Sequence, residues 1–300
     1  MTAPKAPAWR AQPERGHQLV MRLMVLISLI LGRRLSRCVL HGITLYFLLF
    51  GASARRASRE YLSRVLGGPV RWRDLYRHLL AFATTVHDRV YLLKDRFDLF
   101  DIEIEGSEAL LDAMADGRGV LLMGAHLGSF EALRCVGRRH PGISVSMLMY
   151  EDNARKVNAA LQVINPALQQ EVVPLGRPDS MIEAAARLEQ GHLLGLLADR
   201  SLHNDARATH DFLGAPAPFP TAPWRLAAVF KRPVFFMAGL YMGGNRYRLV
   251  FRPLGNFAAV PRLERDKAID GIRQAYVQAL QACCRQAPMN WFNFFDFWRA

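Results

Sequence analysis

Between Gly119 and Ala125 the chain reads GVLLMGA, and between Leu193 and Ala198 it reads LLGLLA. A strand with one wet face alternates polar and apolar residues. An unbroken apolar run this short suits a strand covered on both faces, as in a parallel sheet between helical layers. The segments around these runs fit that frame. Asp101–Glu105 (DIEIE) alternates as a strand, Gly106 turns the chain, and Ser107 can cap a helix through Ala115. The pattern then predicts a helix at Phe130–Arg139, a strand at Ile143–Met149, a helix at Ala154–Ile164 and a strand near Glu171–Pro174. A further helix starts at Asp179 or Ser180 and reaches Gln190. This alternation predicts an α/β domain over residues 97–300, with a mixed, mainly parallel sheet flanked by helices.

Asp199–Pro223 reads as a long Pro-, Gly- and His-containing connection, and loops of that length inside a domain tend to be functional. Trp224–Lys231 reads as a helix. Pro233–Leu240 and Arg246–Phe251 read as strands joined by Gly243-Gly244-Asn245. A last helix, about Leu263–Arg285, precedes an aromatic tail at Trp291–Trp298, which suits either a lipid-facing belt or a packed cap.

The N-terminal third differs in kind. Residues 1–18 are polar and Pro-containing, as expected of a disordered leader, and residues 19–96 read as a helical membrane-associated region. Of the formal charge of +13, residues 1–64 carry +9. Those charges flank two apolar runs, Leu19–Leu31 and Val39–Phe50, without any nucleic-acid motif, so an anionic membrane surface is the expected partner rather than nucleic acid. Each run falls short of the roughly 20 residues that span a bilayer. An embedded or interfacial helical hairpin is the favoured reading, against one short transmembrane helix or an ordinary buried helical pair. The four cysteines, with no C-x-x-C pair, read as reduced packing residues.

One short motif carries chemistry. His126-Leu-Gly-Ser-Phe-Glu131 sets a carboxylate five residues after an imidazole, directly behind a buried strand, where open α/β sheets bind ligands. Roughly one such pair is expected by chance in a chain of this composition, so the context supplies the weight. Five residues along one helix would make the side chains diverge. They meet if His126 lies in a loop and Glu131 in the first helical turn, with Gly128 turning the chain and Ser129 capping. A carboxylate beside imidazole orients the ring and stabilises the imidazolium formed when it takes a proton. The competing reading is a loop histidine and a solvated glutamate.

HLGSFE resembles the H-x4-D/E motif of the lysophospholipid acyltransferase superfamily, and the chain is most similar to its bacterial lipid A late (lauroyl/myristoyl-type) acyltransferases. The blocks VVPLGRPDSM, LLGLLADRS and DFLGAPAPFPTAPWRLAAVFKRPV follow in the family's order, so the resemblance covers roughly residues 19–298. It implies acyl transfer from acyl-carrier protein or acyl-CoA to a hydroxyl of a membrane glycolipid or lysolipid, at the cytoplasmic face of a bacterial inner membrane. No cofactor, metal or covalent acyl-enzyme is implied. His126 would be the general base and Glu131 its partner; Asp199, Arg200, Gly214 and Thr221 fall in the family's later blocks. Asp199-Arg200 stands where the lipid A enzymes generally carry Asp-Gln or Asp-His, a departure that bears on the acceptor. Arg200 and Arg177 each follow a predicted strand and suit anionic groups of a substrate.

Two other classes compete. Asp199, His203, Asp205, His210 and Asp211 make an acid- and His-rich loop that a metal-dependent lipid hydrolase could use, though the spacing is irregular. A non-catalytic membrane adaptor would rely on the basic N-terminus alone. The absence of G-x-S-x-G, Walker A and G-x-G-x-x-G sequences disfavours α/β-hydrolase and nucleotide chemistry.

Overall fold

The computed structural model describes residues 15–133, 135–136, 140, 143–150, 164, 172–176, 179–200 and 206–299. Three helices come first: α1 (Arg15–Phe50), α2 (Ala52–Leu66) and α3 (Trp72–Leu92). Next in the chain are β1 (Asp101–Glu105), α4 (Ser107–Asp112), β2 (Leu121–Gly124), β3 (Val145–Tyr150), β4 (Val172–Leu175), α5 (Ser180–Glu189) and β5 (Leu193–Leu197). The last third holds β6 (Arg207–Phe212), β7 (Ala215–Pro220), α6 (Ala222–Phe230), β8 (Pro233–Tyr241), β9 (Arg246–Asn256) and α7 (Arg265–Gln286).

Seven strands form one sheet in the order β1-β9-β8-β2-β5-β3-β4. β8, β2, β5, β3 and β4 run parallel, β9 pairs antiparallel with β8, and β1 runs parallel to β9. The continuous apolar runs do what their composition demands. Leu121 and Met123 of β2 enter the core on one face, and Val120 and Leu122 enter the core on the other. β8 divides likewise, with Val234, Phe236 and Ala238 on the first face and Phe235 and Met237 on the second. α2 and α3 belong to these cores too: Tyr61, Leu62, Leu75 and Leu79 join the first, Val90–Leu92 the second.

Both N-terminal apolar runs lie on α1, with one non-helical residue, Gly32 (φ 71°), between them. A 93° bend at Gly51 separates the part of α1 from Met24 onward from α2. Among the described residues no single helix is long and apolar enough to cross a membrane; only this bent pair passes that test, and only taken together.

Two expectations need correction. The long connection predicted from Asp199 to Pro223 contains the β6–β7 hairpin, closed by Leu213 and Gly214, both at positive φ. Its prolines concealed it. Pro216, Pro218 and Pro220 alternate along β7, so they place their missing donors on one side of a strand that pairs only with β6, where proline is tolerated. Second, the segment after HLGSF begins as a short 3-10 turn, Glu131–Leu133, rather than as an α-helix. Most of the rest of the helix predicted to Arg139, and all but Ile164 of the one predicted at Ala154–Ile164, lie outside the described residues.

Candidate active site

β2 and β5 are adjacent parallel strands, and Gly124 is in register with Leu197. His126 and Asp199 each come two residues later, so the sheet delivers them side by side at its carboxyl edge. The ladder continues through the Ala198 N–H, which donates to the Gly124 carbonyl at 2.9 Å. Where the next rung would stand, the Asp199 carboxylate takes over. The His126 backbone N–H donates to Oδ2 at 3.0 Å, and its ring Nδ1 lies 2.8 Å from Oδ1. A third donor, the Trp291 indole N–H, reaches Oδ2 at 3.1 Å.

Asp199 is fully buried. Burial by itself raises its pKa, but the charge and hydrogen bonds of His126, with the Arg200 charge, outweigh this and hold the carboxyl well below the usual range. Asp199 is therefore ionised and accepts from His126, so Nδ1 carries the ring proton. Nε2 is left with the lone pair, on a side chain one-third exposed. That is the arrangement of a general base backed by a carboxylate.

The partner foreseen for His126 was Glu131, and the structure gives that residue other neighbours. Glu131 forms an ion pair with Arg89 of α3 at 2.6 Å and accepts from the Ser129 hydroxyl at 3.2 Å. The reason is geometric. In the 3-10 turn Glu131 points toward α3, whereas strand register already fills the place beside Nδ1 with Asp199. Ser129 thus bonds the glutamate side chain instead of capping a helix.

The loop between β2 and this turn is pinned from two sides. The Gly128 N–H donates to the Asn290 carbonyl at 2.9 Å, and the Phe292 N–H donates to the His126 carbonyl at 2.8 Å. On the other side the Ser129 N–H donates to Gly239 of β8 at 2.7 Å. Gly128 has φ 70°, and a Cβ there would lie 1.9 Å from the Gly239 carbonyl oxygen, so glycine is required twice over.

The aromatic tail builds the site. Trp291 is fully buried, ringed by Tyr61, Phe212, Phe297 and Trp298 at centroid distances of 4.9–6.0 Å. Its carbonyl accepts from His78 Nε2 at 2.9 Å, while the Ser58 hydroxyl lies 2.7 Å from His78 Nδ1. Burial pushes the His78 pKa down to about 4, so this imidazole is neutral near pH 7. By sequence the tail suits either a lipid belt or a packed cap; Trp291 is a packed cap with one polar duty. The only signal for it was an indole, a donor-only group, inside an apolar run.

The other expected residues take varied places. Arg200 donates to the Phe292 carbonyl at 2.9 Å and lies over the Phe295 ring at 5.1 Å. Its Nε is buried with no partner among the described residues, and burial lowers its pKa. Gly214 makes the β6–β7 turn, and the Thr221 hydroxyl donates to the Ala206 carbonyl at 3.0 Å, closing the base of that hairpin. Arg177, His203 and Asp205 lie outside the described residues. His210 accepts from Arg273 at 2.7 Å, and among the described residues no group of three or more His, Cys, Asp or Glu could hold a metal ion.

The sequence profile of the bacterial lipid A biosynthesis acyltransferases matches residues 10–300 of this chain. No curated protein sequence matches it significantly. Among solved structures it is similar to the 1-acyl-sn-glycerophosphate (LPA) acyltransferase PlsC from Thermotoga maritima, at 14% identity over 90% of this chain and 100% of that one. At a TM-score of 0.36 that likeness carries no weight for the fold or the chemistry.

Proposed function

From the premise that this chain belongs to the bacterial lipid A biosynthesis acyltransferase family, and is therefore an acyltransferase, we propose that it acylates a hydroxyl of a membrane glycolipid or lysolipid. The donor is an acyl thioester, carried by acyl-carrier protein or CoA. The reaction takes place at the cytoplasmic face of a bacterial inner membrane.

One observation carries the mechanism: the 2.8 Å contact between His126 Nδ1 and a buried, ionised Asp199. His126 Nε2 takes the proton of the acceptor hydroxyl as its oxygen attacks the thioester carbonyl. A C–O bond forms, and the tetrahedral intermediate collapses with loss of the C–S bond. The thiolate leaves with the proton held by the imidazolium. Asp199 keeps the ring in the working tautomer and stabilises its charged form. The backbone N–H groups of residues 126–129 are all committed to protein acceptors, so the cation Arg200, beside Asp199, is assigned to the developing oxyanion. Glu131 holds the loop through Arg89 and Ser129.

Kinetics of three variants on one acceptor test this. His126→Ala should lose about 10²–10⁴ in turnover. Asp199→Asn should approach that loss, and Glu131→Gln should cost clearly less. If Glu131→Gln matches His126→Ala while Asp199→Asn stays near wild type, Glu131 is the partner of the base. Wild-type turnover of His126→Ala would sink the mechanism.

A further inference from the structure

The Asp199 carboxylate is held by more than its histidine. Oδ1 receives the His126 ring, whereas Oδ2 is shared by the His126 backbone N–H and the Trp291 indole N–H. A carboxylate rotates about its last side-chain bond. Two donors from one residue, His126, do not fix it independently of that residue. A third donor, from a buried side chain with anchors of its own, does.

Trp291 is such a side chain. It has no exposed surface, and its main chain is bound on two sides, through a β-bridge to Leu127 and through its carbonyl to His78 of α3. Just before it, the Pro288 carbonyl accepts from the Tyr61 hydroxyl of α2 at 2.8 Å. The indole is thus fixed by the helical layer as well as by the bridge to the loop that carries His126.

We infer that Trp291 is a positioning residue for the acyl transfer reaction: its indole N–H locks the Asp199 carboxylate in the orientation that presents Oδ1 to the His126 ring. This rests on the pairing of His126 with Asp199 as base and carboxylate. A phenyl ring here would keep most of the aromatic packing, but it has no donor to reach the carboxylate. Besides His126, the titratable and charged groups that act on Asp199 are Arg200 next to it and Tyr276 and Cys284 of α7. Burial pushes the Tyr276 phenol and the Cys284 thiol up, so both stay neutral across the working range of pH.

The test compares Trp291→Phe with Trp298→Phe, which deletes an indole hydrogen bond to the Phe212 carbonyl in the same aromatic cluster without touching Asp199. Trp291→Phe should lower kcat about tenfold with KM nearly unchanged, the scale on which a hydrogen bond to a charged group acts. Its acidic limb in kcat against pH should also move to lower pH, because a carboxylate no longer held toward the ring stabilises the imidazolium less. Trp298→Phe should lose thermal stability but keep wild-type kcat and pH profile. Should Trp291→Phe fail to fold, a benzothienylalanine at position 291 keeps the bicyclic shape and removes only the N–H, and the same changes are expected. If the variant at 291 behaves like Trp298→Phe while Asp199→Asn remains crippled, Trp291 is only packing and the inference fails alone. If Asp199→Asn is itself near wild type, the underlying reading fails with it.

Discussion

At the scale of single residues the site depends on where backbone meets backbone. The loop after β2 lies against β8 so closely that a Cβ on Gly128 would meet the Gly239 carbonyl oxygen, and a Cβ on Gly239 would meet the Ser129 carbonyl oxygen at 2.1 Å. Neither obstacle is the end of a flexible side chain. Gly128→Ala adds the strain of its positive φ to this clash and should cost more than about 3 kcal/mol, measurable by urea unfolding, with loss of turnover. Gly214→Ala makes a useful contrast: it also has positive φ, but nothing lies within 4 Å of its Cβ, so it should cost only about 1 kcal/mol. Arg200→Lys keeps the charge but loses the planar fork that bonds Phe292 and lies over Phe295. Turnover should drop, since a point charge cannot reproduce that geometry. Unchanged kinetics in Arg200→Lys would remove Arg200 from the chemistry.

At the scale of elements, the aromatic tail is tied to α3 through a titratable group. His78 is buried, neutral and hydrogen-bonded on both ring nitrogens. Its pKa falls from 6.5 to about 4 on folding, so the unfolded chain takes up the proton first as pH drops. The folded state is therefore not penalised above about pH 6.5. It loses stability as pH falls from there to about 4, by up to about 3 kcal/mol from this residue. Asp199 behaves oppositely in range: its folded pKa is depressed, so its contribution persists above the ordinary carboxylate pKa and fades only in stronger acid. His210, also lowered by burial and by Arg273 beside it, adds to the loss in the same direction as His78. His78→Gln can still donate to the Trp291 carbonyl but does not titrate. Denaturant unfolding at pH 7 and pH 4.5 should show a much smaller loss in that variant than in the wild type. Equal losses would mean that His78 is not the group responsible.

At the scale of the molecule, much of α1 is apolar and exposed. Along α1, Leu26, Ile30, Leu35, Tyr46, Phe47 and Phe50 are exposed, Ile30 and Phe50 by 71% each, with Trp72 and Phe82 exposed on α3. Arg34 lies on α1 and Arg55, Arg56 and Arg59 on the adjoining α2, a mixture suited to an anionic bilayer surface. Deleting residues 1–64 is a poor test of this, because Ser58, Tyr61 and Leu62 are core residues and the remainder would unfold. Exchanging Ile30, Phe47 and Phe50 together for serine leaves the core intact. It should release the protein from vesicles containing anionic lipid, while the wild type stays bound in about 1 M salt, where charge contacts are screened but apolar burial is not. Full salt release of the wild type would reduce the attachment to electrostatics.

Much of this was open to sequence reading because it follows from local chemistry. GVLLMGA and LLGLLA must be covered on both faces wherever they lie, so β2 and β5 follow from periodicity, as does α5 just before the latter. His126, behind the first of these runs, stands out for the same reason. What composition and spacing could not decide is which carboxylate meets it. Glu131 is five residues away and Asp199 seventy-three, yet proximity along the chain does not favour contact once a 3-10 turn aims Glu131 at Arg89. Only the pairing of β2 with β5, in the register Gly124 to Leu197, makes Asp199 the neighbour. The β6–β7 hairpin was hidden because proline's cost depends on which edge of a strand is paired. The tail's part in the site was hidden because Trp291 meets Asp199 only after α2, α3 and the sheet have closed around it. Register and closure are properties of the assembled chain, and they decided the site.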